Sequence, residues 1–338
     1  MIIIRPIDRA DKNIFIEFSF NSTLGLRNLP RGEEQLTKRI AHSMQSFSQN
    51  IKTPGQEEYL FVLEDLTTGK IGGISGILTS ANPNKTFCFR TETLQTQSLH
   101  PAAVKEIKIL RLIASFREAT EICSLYLQPS FRHSGQGRLL SLSRFLFIAS
   151  HRERFRNEIL AELRGYIDHK QIAPFWEAIG KHFCTLSFIE LMAELDQGSI
   201  DIREILPHYP IYISLLSQEV QEMIGKTHES SIPALNMLQN EGFTLTNEVD
   251  AIEAGPTLIA ETSSIRTIKN SRTAKIIITN EPITEENPFI LSNTTLNFRA
   301  CYGHVTVNKE PSSVTIHQEI AEALRVKNGN EIRYVSVH

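Results

Sequence analysis

The chain has 338 residues, a length of about two domains. Hydrophobic residues make up 41% and charged residues 22%, the composition of a globular protein with a substantial core. A net charge of −3 gives no basis for binding nucleic acid or an anionic membrane surface, so neither is expected as a partner.

Residues 2–7 (IIIRPI) read as a first strand, after which Asp8 or Asp11 caps a short helix running to Phe20. A second helix is expected after Pro30, where Leu36, Ile40, Met44, Phe47 and Ile51 recur at three- and four-residue steps and give one apolar face. YLFVLED, the turn Thr67-Thr68-Gly69-Lys70 and IGGISGIL form a β-hairpin. Residues 79–120 are polar and irregular, with a basic helical stretch expected near Val104–Phe116. ICSLYL is then a strand, followed by a glycine turn and a long amphipathic helix, and EILAELRGYI is a further strand. A helix over Ala173–Gly180, a strand over Thr185–Met192 and a helix over YPIYISLLSQEVQEMIG come next. After Gly255-Pro256 the segments KIIITN, FRACYGHVTV, SVTIHQEI and EIRYVSV are short and β-like, separated by Asn, Gly, Pro and Ser.

This order is an α/β layout with a mixed sheet. The predicted division is a first domain over residues 1–195, a helical extension over 196–260 and a small β-rich module over 270–338. Residues 173–183 and 232–243 each read as a short helix closed by glycine and followed by an aromatic residue entering a strand. They suggest a second half-copy in the extension, against chance similarity of two amphipathic helices.

The glycine turn carries the chemistry. It reads Arg132-x-x-Gly135-x-Gly137 between a strand and a helix N-terminus. The free N–H groups of a first helical turn and the helix dipole attract an anion, and glycine lets the backbone approach it. Arg132, His133, Ser134, Gln136 and Arg138 surround the same point. The spacing fits neither a Walker loop nor the Rossmann fingerprint. It is similar to the R/Q-x-x-G-x-G/A signature of GNAT acyltransferases, which hold the pyrophosphate of coenzyme A in this way. The element order around the turn matches that fold. The bland alternative is a glycine-bearing turn before an ordinary helix.

The four cysteines, Cys88, Cys123, Cys184 and Cys301, form no CxxC pair and read as reduced thiols of a cytoplasmic protein, with no metal site expected. The N-terminus lacks the apolar core of a signal peptide, and no run of about 18 apolar residues is present to span a membrane.

Acyl transfer from a thioester to an amine needs a group that takes a proton from the amine or gives one to the leaving thiolate. Trp176 stands where GNAT enzymes often have a tyrosine, and indole cannot fill that role. His228, in the polar loop IGKTHESS, is the candidate; Glu229 beside it is expected to raise its pKa and suit it to an acid role. The alternative is a solvated loop histidine. No G-x-S-x-G elbow is present, which disfavours a hydrolase.

The chain resembles the arginine N-succinyltransferases and the related arginine/ornithine succinyltransferase subunits. The resemblance runs over residues 1–260, through IIIRPIDRAD, the Leu24–Pro30 loop, YLFVLEDLTTGKIGGI, CSLYLQPSFRHSGQGRLLSLSRFLFIASHRERF, AELRGYID, PFWEAIGKHF, LPHYPIYISLLSQE, IGKTH, EGF and AGPTL. It implies a GNAT-like fold, succinyl-CoA as acyl donor and the α-amino group of arginine as acceptor. It also implies a succinyl-CoA contact at Leu125, with Leu127 on the same strand, and a proton donor at His228. Exposed apolar edges of the half-copy, together with the same likeness, suggest a dimer of identical or related subunits. Three segments depart from the family pattern: Ser22-Thr23-Leu24-Gly25, Gln95-Thr96-Gln97-Ser98 and Ala114-Ser115-Phe116-Arg117-Glu118. All lie in the half expected to meet the acceptor. Ornithine, a polyamine or a protein amine are therefore alternative acceptors, and a catalytically silent CoA-binding or scaffold protein is the rival from another class.

Overall fold

The computed structural model of the protein describes residues 1–21, 32–80, 87–95, 100, 102, 106–114, 118–197, 199–285, 287–308 and 313–337. Strand β1 (Ile2–Pro6) leads into a 3-10 turn that Asp8 and Asp11 close reciprocally. Asp8 accepts from the Ala10 N–H at 2.7 Å and Asp11 from the Asp8 N–H at 2.9 Å. Helices α1 (Lys12–Asn21) and α2 (Glu33–Ser48) follow, and α2 buries Leu36, Ile40 and Phe47 as their spacing predicts. The expected hairpin is β2 (Glu58–Asp65) and β3 (Lys70–Leu78), turning at Gly69 with φ +68°.

Next come β4 (Phe87–Gln95), β5 (Glu106–Ala114), β6 (Thr120–Leu127), α3 (Gln136–Ser150) and β7 (Glu158–Glu162). The basic helix expected near Val104–Phe116 is instead the strand β5, paired with β4 from Phe87↔Ala114 to Gln95↔Glu106. Its start, Glu-Ile-Lys-Ile, alternates charged and β-branched side chains, which suits a pleated surface. β7 is shorter than EILAELRGYI predicts. Beyond it the backbone packs so closely on residues 253–255 that a Cβ on Gly165 would lie 1.9 Å from the Glu253 carbonyl oxygen.

The chain continues through α4 (Pro174–Ala178), α5 (Phe188–Gln197), β8 (Ile211–Tyr212), α6 (Gln218–Met223) and α7 (Ile232–Asn240). The strand expected over Thr185–Met192 is the start of α5. Ser187 and Glu190 exchange hydrogen bonds at 2.8 and 3.3 Å in a capping box that begins this helix. The single helix expected over residues 209–225 is broken into β8, a 3-10 turn and α6, which Ser217 caps by accepting from the Val220 N–H. Of the two similar helical segments, only α7 feeds a strand, β9 (Thr244–Asp250); the segment at 173–183 leads to α5. β10 (Pro256–Glu261) and α8 (Arg266–Asn270) come next. The C-terminal part is β11 (Arg272–Thr279), β12 (Phe289–Asn293), β13 (Ala300–Gly303), β14 (Thr306–Asn308), β15 (Ser313–His317), α9 (Gln318–Leu324) and β16 (Glu331–Ser336).

The described strands form one mixed sheet in the order β14-β15-β11-β16-β12-β13-β1-β2-β3-β6-β7-β10-β9-β4-β5-β8. Its two faces are covered by different helices. Tyr59, Phe61 and Leu63 of β2 join the core under α3, with Leu139, Phe145 and Phe147. Leu60 and Val62, which alternate with them, join Phe15, Phe18, Leu36 and Ile40 of α1 and α2. The C-terminal strands pack with α9 in a cluster of their own and extend the sheet through β13, where Cys301 pairs with Ile3 and Ala300 with Ile4.

Candidate active site

The middle of the sheet is irregular where β6 runs between β3 and β7. Ile74 of β3 faces Tyr126 and Gly76 faces Cys123, so β6 carries one more residue than β3 between these two pairs. That extra residue makes a β-bulge. Ser124 lies in it with φ +52°, and a Cβ on Gly76 would press on Cys123 Sγ at 3.1 Å. On the other side, β6 pairs with β7 only at Thr120↔Ile159 and Glu121↔Leu160. The parallel strands then part. Leu125 and Leu127, both half-buried, lie on the stretch of β6 that has no register partner in β7.

Past β6 the chain reaches Ser134 at φ +49° and Gly135 at φ +74°, two successive left-handed residues that aim α3 back along the sheet. Gly135 is the N-cap of α3 and no side chain caps that end, so first-turn N–H groups face outward. Arg132, His133, Ser134 and Arg138 are exposed around them. Arg132 folds back, its Nε donating to the Leu127 carbonyl at 3.0 Å, and His133 Nδ1 lies 3.2 Å from Ser134 Oγ. A helix end with uncapped N–H groups, two flanking arginines and a glycine at the cap has the shape and charge of a cradle that can take a phosphate-bearing group. Gly137 leaves the approach open, since a Cβ there would meet only the end of the Leu127 side chain at 3.6 Å. Gln136 departs from its expected place among the donors. Its N–H is committed to the His133 carbonyl at 3.1 Å and its side chain is buried.

The cradle has a support that the sequence did not reveal. Tyr302, on β13, donates its hydroxyl to the Gly135 carbonyl at 2.8 Å. A Cβ on Gly135 would lie 3.0 Å from that same oxygen. The C-terminal strands thus hold the turn from behind.

His228 sits on the neighbouring arm of the opened pair. Its backbone N–H donates to the carbonyl of Arg164, two residues past the end of β7, at 2.9 Å. The two strands are parallel, so the cradle and the His228 anchor lie at the same end of the sheet. None of the hydrogen bonds of His228 goes to the Arg132–Arg138 segment. Its Nδ1 lies 2.8 Å from Ser230 Oγ and 3.2 Å from the Ser230 N–H. Partial burial lowers its pKa and the Arg164 guanidinium adds to this, while Glu229 opposes them with a smaller effect. The expectation that Glu229 keeps the imidazole protonated is corrected: burial and Arg164 outweigh one exposed carboxylate, and the ring is neutral at neutral pH.

Two other groups are excluded from proton or acyl chemistry by their surroundings. Trp176 is fully buried and its indole N–H donates to the Leu186 carbonyl at 2.9 Å. Cys123, adjacent to the bulge, is buried and its thiol is pushed up to about 12, so it offers no thiolate near neutral pH. Among the described residues no group of three or more His, Cys, Asp or Glu is placed to hold a metal ion. Among them also, no helix is long and apolar enough to cross a membrane.

A family model described as the arginine N-succinyltransferase beta subunit matches residues 2–267, and one described as the C-terminal domain of that subunit matches residues 272–336. The chain belongs to the arginine N-succinyltransferase family. It is 32% identical over 347 residues to the arginine N-succinyltransferase of Yersinia pestis, spanning 100% of this chain and 98% of that protein. It is 34% identical over 342 residues to the arginine N-succinyltransferase subunit alpha of Pseudomonas aeruginosa, spanning 100% of both. The solved structure of arginine/ornithine succinyltransferase subunit AI from Pseudomonas aeruginosa matches with a TM-score of 0.89 at 33% identity, over 100% of this chain and 99% of that one. The family resemblance and the mixed α/β fold read from the sequence both hold. The protein is an acyltransferase.

Residues 22–25, 96–98 and 115–117, where the chain departs from the family pattern, lie outside the described residues, as does the Leu24–Pro30 loop.

Proposed function

We propose that the protein transfers the succinyl group of succinyl-CoA to the α-amino group of arginine. The observation that carries this reading is the end-to-end likeness to a solved arginine/ornithine succinyltransferase subunit, at a TM-score of 0.89. The cradle supports it, because an uncapped helix end with a glycine at φ +74° suits a pyrophosphate. In this reading Arg132, His133, Ser134, Gly135, Gly137 and Arg138 hold the pyrophosphate. The backbone of Leu125 and Leu127, left without a β7 partner, takes the amides of the pantetheine arm as an added strand would.

The free amine attacks the thioester carbon directly, a new C–N bond forms, and the carbonyl electrons move to oxygen. N–H groups of β6 at the bulge stabilise this oxyanion. His228, neutral before the reaction, removes the extra proton from the attacking nitrogen. The carbonyl re-forms as the C–S bond breaks, and His228 returns that proton to the thiolate. The Ser230 N–H donates to Nδ1 at 3.2 Å and Ser230 Oγ lies 2.8 Å from the same nitrogen, so Nδ1 holds the lone pair of the neutral ring and takes up the proton.

The test is release of free thiol from succinyl-CoA and acetyl-CoA with arginine, ornithine, a polyamine and a lysine peptide. Fastest release with succinyl-CoA and arginine is expected. Faster release with another amine would keep the donor and change the acceptor. No release with any amine, in protein that binds coenzyme A, would favour a silent binding protein.

We infer a cytoplasmic protein from its four cysteines, which form no CxxC pair and of which three are buried. We also infer an assembly with a second copy or a related chain, supported by a relative named as a subunit; light scattering of the purified protein tests this.

A further inference from the structure

Arg144 lies two turns into α3, on the face packed against the sheet. It is 2% exposed. Among the described residues no carboxylate forms an ion pair with it, although a buried charge ordinarily requires a partner. Its partners are neutral oxygens. Nε donates to the Ser141 carbonyl at 3.0 Å and Nη2 to Ser141 Oγ at 2.8 Å. Nη1 reaches the carbonyls of Gly76 on β3 and Cys123 on β6, at 3.4 and 3.3 Å. These two residues face each other across the bulge and mark one end of its register shift.

A plain hydrophobic side chain would fill this place in the core at lower cost. A guanidinium is needed only if the two carbonyls must be held. The bulge disturbs the ladder between Gly76 and Ile74, and Arg144 supplies donors to both strands at that point. The Cys123 carbonyl also shares a trans peptide with the Ser124 N–H, which points the opposite way. A cation bound to the carbonyl polarises that peptide and makes its N–H a stronger donor. Burial pulls Arg144 down only to about 10, so it stays cationic at neutral pH.

We propose that Arg144 is a positioning residue for acyl transfer, fixing the β6 bulge and polarising its peptide so that the strand's N–H groups bind the thioester carbonyl as it becomes an oxyanion. This rests on the reading of β6 as the acyl-donor strand. It adds a buried cation, which never touches the substrate, as the source of that strand's geometry and donor strength.

Arg144→Met keeps the volume and removes the charge; Arg144→Lys keeps the charge and loses the fork. The carbonyl stretch of bound succinyl-CoA, labelled with carbon-13 at the thioester, is read by infrared difference spectroscopy beside kcat and calorimetric affinity. A downshift on binding is expected in the unmodified protein. In folded R144M the downshift shrinks, kcat falls about 10-fold or more, and affinity stays within about twofold. R144K is expected to fall between, and it serves if R144M does not fold. A normal downshift and normal kcat in either folded variant would overturn the proposal. So would a parallel loss of affinity and kcat with an unchanged downshift, which marks a purely structural arginine. If the unmodified protein binds no acyl-CoA, the donor reading falls together with this one. Binding without any downshift removes the role of Arg144 alone.

Discussion

The turn that ends β6 and the loop that carries His228 stand at the same end of the sheet and are built by opposite means. The turn is made by neighbours in sequence: left-handed Ser134 and Gly135, the uncapped start of α3, and arginines on both sides. Its chemistry comes largely from the backbone. The His228 loop depends on distant contacts. Its anchor is the Arg164 carbonyl, and the Arg164–Gly165 backbone is wedged against Glu253 and Gly255, far along the chain. The comparison teaches that a ligand cradle made of backbone can be rebuilt from a local pattern, while a side chain's ionisation is set by whatever the fold packs around it.

That contrast can be broken or sharpened by substitution. The largest effect is expected at Gly165, where a Cβ would lie 1.9 Å from the Glu253 carbonyl and 2.7 Å from the Gly255 nitrogen. Gly165→Ala should cost about 3 kcal/mol of stability or more by overpacking. It should also lower kcat by displacing the Arg164 carbonyl, checked by thermal unfolding and steady-state kinetics. Gly135→Ala acts on the other arm. A left-handed alanine costs about 1–2 kcal/mol, so KM for succinyl-CoA should rise about tenfold while kcat changes little.

A smaller, diagnostic effect is expected in pH. His228 must be neutral to accept a proton, so kcat/KM should fall as pH drops through its pKa. Burial and Arg164 place that limb below the ordinary imidazole value of about 6.5. Because Glu229 raises the pKa, Glu229→Gln should move the limb lower still. A limb above that ordinary value would mean that the imidazolium is the favoured form. The smallest effect belongs to Tyr302→Phe. Losing one neutral hydrogen bond to Gly135, about 1 kcal/mol, should weaken coenzyme A binding about fivefold without changing kcat.

The same division explains what the sequence disclosed. The first helix, α2, the β2–β3 hairpin, the strand-turn-helix at β6–α3 and the family itself were legible, because caps, apolar spacing and glycines are local signals. The basic residues of β5 suggest a helix, although Glu106-Ile-Lys-Ile109 alternates with period two. The apolar start of α5 suggests a strand, although Ser187 and Glu190 stand at capping-box spacing. Other features had no local signal. Tyr302 is 167 residues from the turn it supports. Arg144 reads as one more polar residue in a long helix until β3 and β6 bring their carbonyls to it. The direction of the His228 shift comes first from burial and then from Arg164, neither of which sequence places around it.

The most direct test of this separation is to measure coenzyme A affinity and turnover on one preparation of His228→Ala. The account predicts that succinyl-CoA binds as in the unmodified protein while kcat with arginine falls about 10²-fold or more. Unchanged turnover, or a loss of affinity that accounts for the whole loss of rate, would contradict it.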